Sequence, residues 1–180
     1  MYNNLNKKYL ILIIIFLISH NFSYGVKQRM INSFSSSITV TIRGTGMLNV
    51  FYGGSCSAGN FNRPNKIYIN KVKQNQIKEK YQFNESPNFV KLEWDNTNNN
   101  CNCLFRDCIN IVDIDFSQFD FSSGLYANQM FYNCKSLTSI DLHSYGTIKF
   151  YNVAEMFSYC ESLYYLDLSQ FEISSLDDTH

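Results

Sequence analysis

Three stretches decide how the chain reads: LFRDCINIVDIDFSQF (Leu104–Phe119), MFYNCKSLTSIDLHSY (Met130–Tyr145) and MFSYCESLYYLDLSQF (Met156–Phe171). They align without a gap at a spacing of 26 residues. One column holds Phe105, Phe131 and Phe157, and another holds Cys108, Cys134 and Cys160. Further columns hold Ile111, Leu137 and Leu163, then Ile114, Ile140 and Leu166, then Asp115, Asp141 and Asp167. Phe116, Leu142 and Leu168 follow, and Phe119, Tyr145 and Phe171 close the unit. A fixed spacing of this kind marks a repeat architecture and says nothing of a chemical reaction.

A unit this short cannot bury its own apolar face, so the copies are expected to stack and share one core. Within each unit a short run alternates polar and apolar as a strand does. In Ser139–His143 that phase turns Ile140 and Leu142 inward and Asp141 outward. The same phase turns Ile114 and Phe116 inward in the first copy, and Leu166 and Leu168 in the third. The expected core therefore comprises Phe105, Cys108, Ile111, Ile114, Phe116, Phe131, Cys134, Leu137, Ile140, Leu142, Phe157, Cys160, Leu163, Leu166 and Leu168. The strands are expected side by side in a parallel sheet, with the Phe-Cys-Leu part turning back to each strand. The period lies in the leucine-rich-repeat range. The fold class expected is thus β-rich with a short parallel-sheet leucine-rich-repeat solenoid, preceded by a small β cap.

These residues resemble the BspA-like leucine-rich-repeat surface proteins of bacteria and protists, whose unit reads M-F-x-x-C-x-S-L-x-x-L-D-L-S-x-F. The third copy matches every fixed position of that unit. The second departs at His143 and Tyr145, and the first at Leu104, Asn110 and Ile111. The return half of the family's unit is eroded here: Phe119–Ser122 is close to it, whereas Tyr145–Ile148 is not. The resemblance implies surface exposure and adhesion.

The beginning of the chain reads as a secretory signal peptide, residues 1–25. Lys7 and Lys8 precede the apolar run Leu10–Ile18, which is too short to span a bilayer, and Ser23 and Gly25 suit cleavage before Val26. Residues 26–37 read as a flexible leader. Residues 38–100 form the β-rich capping region, and residues 101–180 hold the three copies, the last incomplete. No later apolar run suggests a transmembrane segment once the signal is cleaved, so the localisation expected is secreted or extracellular surface.

Within the capping region Ile38, Val40 and Ile42 alternate with Thr39, Thr41 and Arg43 as a strand, and Met47–Tyr52 reads as its return. Lys66–Val72 reads as a third strand with a tight turn at Asn70-Lys71. Phe89–Trp94 reads as a fourth, with Trp94 placed to pack on the Phe105 side. After cleavage the net charge is −2, and no basic block recommends nucleic acid as a partner.

Six cysteines lie in a secretory context that permits disulfides. The three in the repeat column suit a buried, reduced role. Cys56 has no such place, and a disulfide to Cys101 or Cys103 is expected. Cys101-x-Cys103-x4-Cys108 has the look of a metal cluster but lacks a nearby His to complete a tetrahedral site. Gly53-Gly54-Ser55-Cys56-Ser57 is not a G-x-S-x-G elbow. A Cys nucleophile needs a His base, and the mature chain offers only His143 and His180. No catalytic residue and no cofactor is therefore assigned. Asp115, Asp141 and Asp167 form an acidic column, either hydrogen-bonded to neighbouring Ser, Thr or backbone groups or offered to a divalent cation. Asn84-Glu85-Ser86 is a sequon in a polar loop, while Asn21-Phe22-Ser23 lies within the signal.

These features point to a non-catalytic interaction or adhesion protein that takes a protein or glycan ligand at a cell surface. The alternative is a structural matrix subunit that self-associates through the open edge after Leu168. That edge also suits a truncated copy of a longer array.

Overall fold

Alternation builds the first strands. Ser36–Ile42 (β1) buries Ile38, Val40 and Ile42 completely, and Asn88–Trp94 (β6) buries Val90, Leu92 and Trp94. The two run antiparallel, with Ile38 opposite Leu92 and Val40 opposite Val90, so one apolar face is continuous across both. The structure is a computed structural model that describes residues 35–142 and 146–173. The stretches expected to be a signal peptide (residues 1–25) and most of a leader, the Asn21 sequon, His143, Tyr145 and His180 lie outside the described residues. Ser36 and Ser37, expected in a flexible leader, are buried in β1.

Gly46–Asn49 (β2) does not return onto β1 as expected. It pairs antiparallel with Lys80–Phe83 (β5), a strand hidden in a polar stretch. Lys66–Ile69 (β3) and Val72–Lys73 (β4) form a hairpin whose turn is Asn70 and Lys71, with φ of 49° and 70°. Two left-handed residues in succession give the twist that a two-residue hairpin turn needs. With β2 elsewhere, the free edge of β1 takes Ile111–Gln118 (β7), the strand of the first repeat copy. Val40 lies opposite Ile114 and Thr39 opposite Asp115, again antiparallel. The resulting five-stranded sheet has the order β4-β3-β6-β1-β7.

This pairing corrects the expected fold class. A leucine-rich-repeat solenoid with one parallel sheet is not formed. The main sheet is antiparallel and consumes the first copy's strand at its edge. Parallel pairing survives only in fragments. Ile148–Asn152 (β10) lies between Leu125–Tyr126 (β8) and Phe171–Ile173 (β12), while Ser139–Ile140 (β9) pairs with Tyr165–Leu166 (β11). An alternating strand fits a parallel or an antiparallel neighbour equally well, and β1 offers β7 the longer one. Among the described residues there is no helix, and so none long and apolar enough to cross a membrane.

The copies still stack at the repeat spacing through their turns. Phe105, Phe131 and Phe157 lie in parallel, with centroids 5.8 and 5.5 Å apart and interplanar angles of 8° and 10°. Cys134 Sγ donates to the Phe105 carbonyl at 3.1 Å, and Cys160 Sγ donates to the Phe131 carbonyl at 3.0 Å. Burial falls along the stack. Phe105, Cys108, Ile111, Ile114, Phe116, Phe131, Cys134, Leu137, Ile140 and Leu142 are buried. Phe157, Cys160, Leu163 and Leu166 are only half-buried, and Leu168 is 49% exposed. The third copy thus departs from the expected core because no further copy covers it among the described residues. Trp94 packs edge-on against Phe119 at 6.2 Å instead of on Phe105, and its Nε1 donates to the Asn62 carbonyl at 2.7 Å.

Candidate interaction surface

The turn of each copy sets up the surface. Cys103 and Asp107, Gln129 and Asn133, and Glu155 and Tyr159 all adopt positive φ between 52° and 61°. The same left-handed pair in each copy projects equivalent side chains in rows. Asn133 Nδ2 donates to Asp107 Oδ1 at 2.8 Å, and Gln129 Nε2 donates to Glu155 Oε2. These bonds tie each copy to the next at the rim of the stack.

Along the same rim runs a row of aromatic and cationic groups. The Arg106 guanidinium lies 4.6 Å from the centroid of Tyr132 and 5.7 Å from that of Tyr52, and its Nη1 donates to Gln129 Oε1. Its Nε lies 3.6 Å from Asp107 Oδ2. Tyr132 meets Tyr159 edge-on at 5.1 Å. Tyr159 is 63% exposed, and nearby in sequence Tyr164 and Tyr165 are exposed as well. The row therefore runs from the antiparallel region at Tyr52, across Arg106 and Tyr132, to an open ring at Tyr159. A planar cation held between ring faces keeps its orientation, which prepares the surface for a ligand. Burial raises the Tyr132 hydroxyl above its ordinary pKa, with Tyr159 adding to the effect.

At the Tyr52 end the row opens beside a cleft of ≈ 390 Å³ lined by Tyr52, Gly53, Ser55, Asn60 and Arg63. A Cβ on Gly54 would lie 2.5 Å from Tyr52 Oη, so glycine there lets the ring swing across the loop. The loop that carried the Gly-Gly-Ser-Cys motif is fixed by a disulfide. Cys56 pairs with Cys103 across a Cα separation of 6.0 Å, and Cys101 remains a buried free thiol. The Cys56 sulfur is thereby committed to a structural bond.

Two carboxylates of the acidic column make local bonds. Asp115 sits on β7 opposite Thr39, and its Oδ1 accepts from the Ser117 N–H at 2.7 Å. Asp167 Oδ1 accepts from the Ser169 N–H at 2.7 Å in the same way. Each carboxylate closes a local turn with the backbone two residues on. Among the described residues no three His, Cys, Asp or Glu side chains gather to hold a metal ion. The column cysteines are walled off: burial pushes the Cys108 and Cys134 thiols far up, and Cys160 up to a lesser depth of burial. Asn84 is exposed in the loop after β5, and Ser86 Oγ of its sequon accepts from the Gly44 N–H at 3.0 Å.

The aromatic row escaped sequence reasoning because its columns are not uniform. Arg106, Tyr132 and Ser158 share one column, and Asp107, Asn133 and Tyr159 share another. The usable signal was the presence of Tyr at turn positions that the apolar core does not need.

The chain matches no curated protein and no solved structure. Residues 75–180, more than half of its length, match the family described as "Mycoplasma protein of unknown function, DUF285", and the chain belongs to that family.

Proposed function

We propose that the protein is a non-catalytic interaction protein of the cell exterior that binds a protein or glycan ligand through the rim of its stacked copies. The observation that carries this reading is the row Tyr52, Arg106, Tyr132 and Tyr159, a preorganised set of rings and one cation on an otherwise mixed polar surface. Tyr and Arg are the residues that most often anchor interfaces, since they bury much area for little lost side-chain freedom. The signal-like start and the resemblance to BspA-like surface proteins support the extracellular setting. Ligand recognition would rest on the open ring of Tyr159, with Arg106 supplying a fixed donor for carboxylate, hydroxyl or backbone oxygen.

The test is binding of the purified chain to a glycan array and to intact cells, with Tyr159→Ala and Tyr132→Ala beside it. Binding is expected to fall at least tenfold in both variants while their melting curves keep the native shape. Equal binding by all three proteins would overturn the assignment of this surface.

A further inference from the structure

Residues 53–60 form an exposed irregular loop in which only Cys56 is buried. Several ties nevertheless hold it in place. Cys56 is bonded to Cys103 in the turn of the first copy. The Cys56 N–H donates to Asn60 Oδ1 at 3.0 Å, and Asn100 Nδ2 donates to the Asn60 carbonyl at 3.0 Å. Asn102 Nδ2 donates to the Ala58 carbonyl at 2.9 Å. An irregular segment pinned at so many points keeps one shape, and a binding loop that is already shaped loses little on taking its ligand.

The cleft of ≈ 390 Å³ beside this loop is rich in uncommitted donors. Asn60 spends Oδ1 on the Cys56 N–H, which fixes the amide's orientation and leaves Nδ2 to donate elsewhere. The N–H groups of Gly53, Gly54 and Ser55 meet no acceptor among the described residues. The Arg63 guanidinium lies 5.4 Å from the centroid of Phe51, which gives it a surface to rest on. Its one charged neighbour among the described residues is Glu79, whose Oε2 lies 3.8 Å from Nη2. That separation is longer than a hydrogen bond, and the two side chains are 55% and 43% exposed. Such a pair holds weakly. Glycine at position 53 is what lets Glu79 lie there, since a Cβ on Gly53 would come within 2.7 Å of Glu79 Cγ.

We infer that this cleft binds the carboxylate of an acidic sugar, a single uronate unit, which takes the Arg63 guanidinium over from Glu79. A planar guanidinium presents paired donors that match both oxygens of a carboxylate. The surrounding amide and backbone donors suit the ring oxygen and hydroxyls, and Tyr52 and Phe61 give the cleft aromatic walls. Its volume lies at the low end of ligand pockets, about 300–1,000 Å³, which fits one ring rather than a chain. Tyr52 also begins the aromatic row, so the cleft gives one end of that surface a ligand class. The choice of a sugar over an acidic protein side chain rests on the function proposed for the row.

The experiment titrates the full chain with glucuronate, its methyl ester, glucose and acetate, and follows the amide resonances of Gly53, Gly54, Ser55 and the Asn60 side chain. Glucuronate is expected to shift them saturably. The ester, glucose and acetate are expected to bind at least tenfold more weakly. Arg63→Gln should weaken glucuronate at least tenfold, whereas Glu79→Gln should strengthen it several-fold by releasing the guanidinium. Both positions are exposed, and unchanged melting curves show that the variants fold. Four results overturn the inference: no saturable shift with glucuronate, an equal response to glucose or acetate, no loss in Arg63→Gln, or weaker binding in Glu79→Gln. The cleft and the row fail separately. A silent cleft with cell binding still lost in Tyr159→Ala overturns the cleft alone. Glucuronate bound through Arg63, with cell binding untouched in Tyr132→Ala and Tyr159→Ala, overturns the row and supports the cleft.

Discussion

Replacing Phe131 by Ala tests whether the ring stack is what joins the copies. Phe131 is 1% exposed, lies between Phe105 and Phe157 at 5.8 and 5.5 Å, and meets Phe116 edge-on at 6.4 Å. Truncating a buried Phe costs about 3–5 kcal/mol through lost transfer energy and the cavity left behind. Each well-placed aromatic pair adds about 0.5–1.5 kcal/mol, though contacts that share one ring do not sum fully. A loss of about 4–5 kcal/mol is therefore expected. Phe157 has the same chemistry but only one stacked neighbour and is half-buried, so Phe157→Ala should cost about 2 kcal/mol. Urea unfolding of the full chain, followed by near-UV circular dichroism, reads both losses by linear extrapolation. A small domain holds only about 5–15 kcal/mol, so the first loss moves the midpoint far and the second moderately. Equal costs at the two positions, or a larger one at Phe157, would refute the claim that burial along the stack is graded by neighbours.

Four further outcomes are expected. Reduction of Cys56–Cys103, which closes a separation of 47 residues, should cost about 4 kcal/mol, and Cys56→Ser should cost the same and abolish sensitivity to reductant, while Cys101→Ser retains that sensitivity. Stability should fall at alkaline pH. Burial raises the folded-state pKa of the Cys101, Cys108 and Cys134 thiols, so their contribution is complete below the ordinary thiol value of about 8.5. It is lost as pH rises from there toward the folded value, by about 1.4 kcal/mol per pH unit for each thiol, and Cys101→Ser should flatten the slope of the urea midpoint between pH 8 and 9.5. Asp115→Ala should cost about 1 kcal/mol through loss of its bond to the Ser117 N–H, with thermal midpoints unmoved by calcium in either protein. Lys71→Gly should stabilise the hairpin by about 0.5–1 kcal/mol, read as a higher urea midpoint, because Lys71 holds a φ of 70°.

What could be read from the sequence divides along a physical line. Columns of one residue type at equal spacing imply one environment repeated, and Phe105, Phe131 and Phe157 do share a stack. Two expected hairpin features were also local enough to read: the turn at Asn70-Lys71 and the buried face of Val90, Leu92 and Trp94. Strand partnership was not. The alternation in Ile111–Gln118 is indifferent to whether its neighbour is the next copy or β1, and nothing local to Gly44–Gly46 reveals that β2 leaves for β5. The parallel sheet expected from the repeat gave way to an antiparallel one for that reason.

The third copy shows the limit most clearly, because it is the best match to its own consensus and the least buried of the three. Met156–Phe171 carries every fixed residue of the unit, yet Leu168 is 49% exposed, whereas Leu142, its counterpart one copy earlier, is 4% exposed. Side-chain type is therefore not what separates the two positions; the neighbour on the outer side is. A repeat sequence encodes both halves of an interface in every copy, so the burial of a copy is set by the neighbour it meets rather than by its own residues.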